Sequence, residues 1–199
     1  MFKRITEVGK RVLVSLTAIG LIAISTVGLP AQASAQSSSC TYIPYKDDLV
    51  PLVSLWSQDR LDNLTAATLE SKQGGWDAGY EGIRYEGWIY ANPHPGTIPL
   101  FSFWSQGNLD NLTVATPESQ KSALDAGYTM TRLEGWVLAK PSEGTTALLS
   151  YWSEDRTDQY LVGTGTGQKG AIDAGYVEYN LEGYAYMDST AECGSVRID

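Results

Sequence analysis

The chain has 199 residues, of which 43% are hydrophobic, 19% charged and 11% aromatic, with a formal charge of -9. This suits one domain or two small ones, and it is too apolar and aromatic for a disordered chain. One histidine (His94) and two cysteines (Cys40 and Cys193) exclude a Cys/His zinc cluster, and the acidic balance argues against nucleic acid or an anionic membrane surface as partner.

From the amino terminus, Lys3, Arg4, Lys10 and Arg11 form a basic segment. An apolar run follows from Val12 to Leu29, then Pro30, Ala31-Gln32-Ala33 and Ala33-Ser34-Ala35. This order predicts a secretory signal peptide over residues 1–35, cleaved after Ala33 or Ala35. The alternative is an uncleaved anchor, since the run of about 18 residues is near spanning length. Cleavage leaves one domain over 36–199 with 10 basic and 22 acidic side chains. The expected location is extracellular or periplasmic, without membrane contact once the leader is gone. In an oxidising compartment Cys40 and Cys193 read as one disulfide joining the two ends, worth about 4–5 kcal/mol on the loop-entropy model. Two free or intermolecular thiols are the alternative.

An internal repeat dominates the remainder. Trp56-Ser57, Trp104-Ser105 and Trp152-Ser153 lie 48 residues apart, twice. The same offset carries Leu52, Ser54, Asp62, Thr68, Asp77-Ala78-Gly79-Tyr80 and Glu86-Gly87 onto identical residues in both later copies. No insertion is needed, which defines units at about 51–98, 99–146 and 147–195 and is far beyond chance.

Within a unit, Pro99 to Trp104 alternates like a first strand, and Asn111 to Thr116 reads as a second. Thr116 can cap a short helix with Pro117 at its first position and Gly127 at its end. The helix is weaker in the outer units, which carry Gly74-Gly75 and the glycines between Gly163 and Gly170. Thr131 to Leu138 reads as a last strand, and Pro/Gly/Ser turns link the units. Gly79, Gly127 and Gly175 are expected to stop helices with positive φ. Gly87, Gly135 and Gly183, in mid-strand, suggest a bulge or a neighbour packing over the strand. A unit of this size cannot bury its apolar face alone. The expected fold is therefore mainly β, a pseudo-threefold closed repeat that is β-trefoil-like or prism-like. Tyr42 to Val50 would serve as a closing strand or a tie beside Cys40.

Candidate binding residues are those the repeat preserves. Trp56, Trp104 and Trp152 end a strand and suit either core packing or a ligand platform; Trp88, Trp136 and Tyr184 pose the same choice. Asp62-Asn63, Asp110-Asn111 and Asp158-Gln159 precede a strand, where a carboxylate beside an amide can fix a turn, bind sugar hydroxyls or bind calcium. Arg84 with Glu86, and Arg132 with Glu134, share a strand face and can pair. The third unit has Asn180 instead, so a ligand site using Arg should be weakest there. Each loop offers too few oxygens for calcium, so no stoichiometric calcium requirement, no metal and no cofactor are expected. No phosphate loop, nucleophile elbow or catalytic constellation is visible, and His94 sits in a linker, so the chain is not expected to be an enzyme.

The pattern FWSQGNLDNLTVAT…RLEGW resembles a family of secreted bacterial tandem-repeat domains of mostly unknown function, related to accessory repeats appended to extracellular hydrolases. The resemblance spans about residues 50–190. The first unit departs at Tyr85, and the third more strongly at Asp158-Gln159-Tyr160-Leu161. It implies a non-catalytic, carbohydrate-binding accessory role, with cell-surface or extracellular polysaccharide as partner and a monomeric state. A structural or interaction protein of the cell envelope without a small ligand is the alternative.

Overall fold

The computed structural model describes residues 43–189. The expected signal peptide over 1–35 and the Cys40–Cys193 disulfide lie outside them. The described chain is mainly β. Strands β1 (Leu49–Ser57) and β2 (Asp62–Ala66), helix α1 (Leu69–Asp77) and strand β3 (Glu81–Tyr90) make the first repeat. The second repeats this with β4 (Thr97–Ser105), β5 (Asp110–Val114), α2 (Pro117–Asp125) and β6 (Thr129–Leu138). The third has β7 (Thr145–Ser153), β8 (Asp158–Val162), α3 (Gly165–Asp173) and β9 (Val177–Tyr186). No helix among the described residues is long and apolar enough to cross a membrane.

In each repeat the first strand is central, pairing antiparallel with the second strand on one edge and the third on the other. The pairing with the third strand shifts register twice, first just past Leu52–Gly87 and its counterparts. A Cβ on Gly87, where φ is +144°, would lie 2.8 Å from Ala185 Cβ and 3.0 Å from the Tyr186 carbonyl oxygen. Both readings of this glycine, bulge and close neighbour, therefore hold together. The third strands also pair with one another at equivalent places: Tyr90 with Trp136, Leu138 with Tyr184, and Tyr186 with Trp88.

All three helices form, including the glycine-rich ones. Thr68, Thr116 and Thr164 each accept the amide three residues on, which satisfies one of the free donors at a helix start. Gly79, Gly127 and Gly175 end the helices at φ near +85°. The glycines of α1 and α3 make room where bulk is excluded. A Cβ on Gly75 would sit 3.0 Å from Leu64, and one on Gly167 only 2.8 Å from a Glu86 oxygen.

The central core takes three buried residues from each repeat: Leu52, Ala67 and Ile89, then Leu100, Ala115 and Val137, then Leu148, Leu161 and Ala185. Trp88 and Trp136, half-buried, pack against Tyr90, Tyr186 and Ile43. Leu49 and Val50 join β1, and the turn before them is a tie. The Asp48 carboxylate accepts the Asn92 amide and meets His94 Nε2 at 2.8 Å, while Tyr45 stacks on the His94 ring.

Candidate functional site

The repeats are joined by three buried glutamates. Glu134 of the second repeat reaches the start of α1 in the first, accepting the Ala67 and Thr68 amides at 2.8 and 3.0 Å and the Ser71 hydroxyl. Glu182 does the same for Ala115, Thr116 and Ser119, and Glu86 for Gly163 and Thr164. Each also accepts a serine hydroxyl from its own first strand: Ser102, Ser150 or Ser54. A carboxylate is well placed at a helix N-terminus, where free N–H groups and the helix dipole favour negative charge. Arg84 pairs with Glu86 at 3.2 Å as expected, whereas Arg132 donates to Ser71 Oγ. In the third repeat Asn180 takes the arginine's place and donates to Thr116, Ser119 and Glu182, so a polar donor is retained there in neutral form.

Between successive repeats run clefts. The first is lined by the α1 residues Ser71, Gly74 and Gly75 on one side and by Trp104, Asn111 and Arg132 on the other, and encloses about 290 Å³. The second sets Ser119, Ser122 and Ala123 of α2 against Trp152, Gln159 and Tyr179, and encloses about 220 Å³. Trp104 and Trp152 occupy the same repeat position and are half-buried. Trp56, also half-buried, faces the third repeat, where the Arg156 guanidinium lies 5.8 Å from its ring centre. Arg84 similarly lies 6.0 Å from the Tyr160 ring. Cation–aromatic contact of this kind covers a ring face. The three junctions therefore differ: the first carries Arg60 and Arg132 beside Glu70, the second has Glu182 and no arginine in its lining, and at the third an arginine lies on the tryptophan.

The three aspartates are not in these linings. Asp62, Asp110 and Asp158 are only 2%, 1% and 1% exposed, and oxygens of all three lie within 4.8 Å of one another. Each accepts the hydroxyl of the tyrosine eighteen residues on: Tyr80, Tyr128 or Tyr176. Asn111 donates its side-chain nitrogen to Asp62 at 2.8 Å, and Asn63 donates its own to Asp158 at 2.7 Å. Asp62 and Asp158 thus hold the neighbouring repeat's strand in place of a turn of their own. The amide that would complete the pattern on Asp110 is missing, because position 159 is glutamine. Its longer side chain bonds the Thr113 peptide and Ser150, and Asp110 Oδ1 has no partner among the described residues. Burial pushes the Asp110 and Asp158 carboxyls up, and the neighbouring Asp62 charge adds to this.

Of the ten residues singled out for ligand binding, then, Trp104, Arg132 and Asn111 share one cleft and Trp152 lines another. Trp56 and Arg84 each face the third repeat, beside Arg156 and Tyr160 respectively. Asp62, Asp110, Asp158 and Asn63 are buried together, away from the cleft surfaces. The glutamate latch escaped the sequence reading, although identical Glu86, Glu134 and Glu182 opposite identical Thr68, Thr116 and Thr164 carried its signal. No protein-family model, no curated protein and no solved structure matched the chain.

Proposed function

We propose that the chain is a secreted, non-catalytic binding module that holds carbohydrate in the clefts between its repeats. We propose also that the repeats close about a pseudo-threefold axis in a trefoil-like or prism-like manner. Three observations support closure: the cyclic pairing of the third strands, the latches from each repeat to another, and the convergence of the three aspartates. The binding reading rests on the half-buried Trp104 and Trp152. Each presents an indole to a cleft whose opposite wall is a helix of small residues with serine hydroxyls. An aromatic face beside convergent hydroxyl, amide and guanidinium groups suits a sugar ring. Volumes of about 220 and 290 Å³ stand near the lower end of the roughly 300–1,000 Å³ of sites for drug-sized ligands, which suits a short stretch of a sugar chain. Arg60 and Arg132 outnumber Glu70 in the first cleft, while the second is lined by Glu182 without an arginine, so acidic sugars would prefer the first. Two weak sites on one body reach a polymer with avidity.

The test is a titration of intrinsic tryptophan fluorescence and affinity electrophoresis against a panel of neutral and acidic polysaccharides. Trp104→Ala and Trp152→Ala are each expected to weaken binding about tenfold or more, and Trp56→Ala much less. A blank panel, or binding indifferent to both cleft substitutions, would refute this reading. The exposed Tyr85, Tyr179 and Val177 side chains favour a second one, an interaction protein of the cell envelope. A blank polysaccharide panel together with envelope association lost in Tyr85→Ser and Tyr179→Ser would support it.

A further inference from the structure

We propose that Asp62, Asp110 and Asp158 form a binding site for one hard divalent cation, with calcium the best fit. The three carboxylates come from three repeats, so counting oxygens loop by loop misses them. Their immediate partners are neutral donors: the tyrosine hydroxyls on all three, and Asn111 and Asn63 on Asp62 and Asp158. The nearest arginines stand one layer further out. Arg60 lies 5.8 Å from the Tyr80 ring centre, and Arg156 donates to the Tyr176 hydroxyl at 3.2 Å. Behind Tyr128 the corresponding residue is Asn108, which donates to its hydroxyl. The carboxylate with least support is therefore Asp110, and of the three it is the one with an oxygen unpaired among the described residues.

That oxygen is the second and independent sign of a ligand. Asp110 is 1% exposed, its Oδ1 has no partner among the described residues, and its carboxyl stands beside Asp62. A buried acceptor left unpaired costs about 1–3 kcal/mol, and three carboxylates this close cannot all stay ionised without a counter-charge. Three oxygens no more than 4.8 Å apart place a central ion at most about 2.8 Å from each. Calcium, which takes oxygen at roughly 2.3–2.6 Å, needs a contraction of a few tenths of an ångström; magnesium, at roughly 2.0–2.1 Å, needs far more. An all-oxygen set also selects against zinc and copper. The competing occupant is a proton on Asp110, shared with its neighbours.

Terbium separates the two, because Tyr80, Tyr128 and Tyr176 hold their hydroxyls on the ligand carboxylates and can sensitise a bound lanthanide. Chelator-treated full chain is titrated with Tb3+ at pH 7.5 under ultraviolet excitation. The expected result is saturable luminescence at one ion per chain, displaced by Ca2+ well before Mg2+ and lost in Asp110→Asn but retained in Asp77→Asn, an exposed control. Ca2+ at a hundredfold excess over its Kd should raise the melting temperature by about 5–10 °C at pH 8 and by much less at pH 5. Absent or non-saturating luminescence, or luminescence unchanged in Asp110→Asn, would overturn the proposal. So would an Asp110→Asn protein that melts at or above the wild type with Ca2+ present, since that leaves a proton as the occupant. Should Asp110→Asn fail to fold, the wild-type comparison decides: equal response to Ca2+ and Mg2+, or none, overturns it.

Discussion

Replacing Glu134 tests whether the repeats are held together by carboxylates on helix N-termini. Glu134 Oε2 accepts the amides of Ala67 and Thr68, and Oε1 accepts the hydroxyls of Ser71 and Ser102. Glu134→Ala leaves two amides without their acceptor, at about 1–3 kcal/mol each, and removes a charge worth about 0.3–2 kcal/mol from the start of α1. Relief of burying a charge offsets part of this, so a net loss of about 3–5 kcal/mol is expected. For a chain of this size that lowers the melting temperature by about 6–20 °C. Glu134→Gln keeps one oxygen for the two amides and turns its nitrogen toward hydroxyls that can reorient and accept. Its loss should be near 1 kcal/mol, or about 2–4 °C. Thermal denaturation followed by circular dichroism, with hydrogen exchange at residues 67–71, reads both variants. An alanine variant within about 2 °C of wild type, or a glutamine variant as damaged as the alanine one, would refute the latch.

Other consequences can be measured on the same material. Burial pushes the Asp110 carboxyl up to about 9. An acid with a raised folded pKa stabilises the fold at low pH and loses that contribution as pH rises through its folded value. In chelator, wild type should therefore lose stability relative to Asp110→Asn between about pH 5 and 9; a constant difference would contradict this. Gly163→Ala should lower the melting temperature, because its Cβ would lie 2.0 Å from the Glu86 carbonyl oxygen and the backbone must shift; a melt at or above that of wild type would disprove it. Gly74→Ala, in the interior of α1 with open space around the new methyl, should add about 0.5–1 kcal/mol, read by chemical denaturation. Thr157 sits at φ 55°, a conformation disfavoured for a β-branched residue, so Thr157→Gly should gain about 1 kcal/mol in the same assay.

Much of the local structure was legible in the sequence because it is decided locally. Alternation gave the strands, Thr116 and Pro117 gave the start of α2, and Gly127 gave its end. The helices at Gly74-Gly75 and Gly165–Gly170 looked weak because intrinsic propensity counts against them. Glu134 and Glu86 on their N-termini, and the need for missing side chains at Gly75 and Gly167, are tertiary facts. The same limit explains the aspartates. Asp62 beside Asn63 looked like turn chemistry, and only the meeting of β2, β5 and β8 brings the three carboxylates to one point. Arg84 and Glu86 were readable as a pair because they share a strand. Arg132 turned to Ser71 instead, which depends on where a helix from another repeat lies.

The latch carries a further consequence for how such a chain arises and how it can be rebuilt. Glu134 cannot distinguish whether the amides it accepts belong to its own polypeptide or to a second one. The linkers at Asn92–Gly96 and Lys140–Gly144 only keep partners at high local concentration. Cut at those linkers, the same contacts can form between separate chains. A single 48-residue segment thus contains both halves of the joint, the glutamate and the helix start, and can assemble as a homotrimer. A chain with two copies would leave one glutamate and one helix start unmatched, and would recruit a third from another molecule.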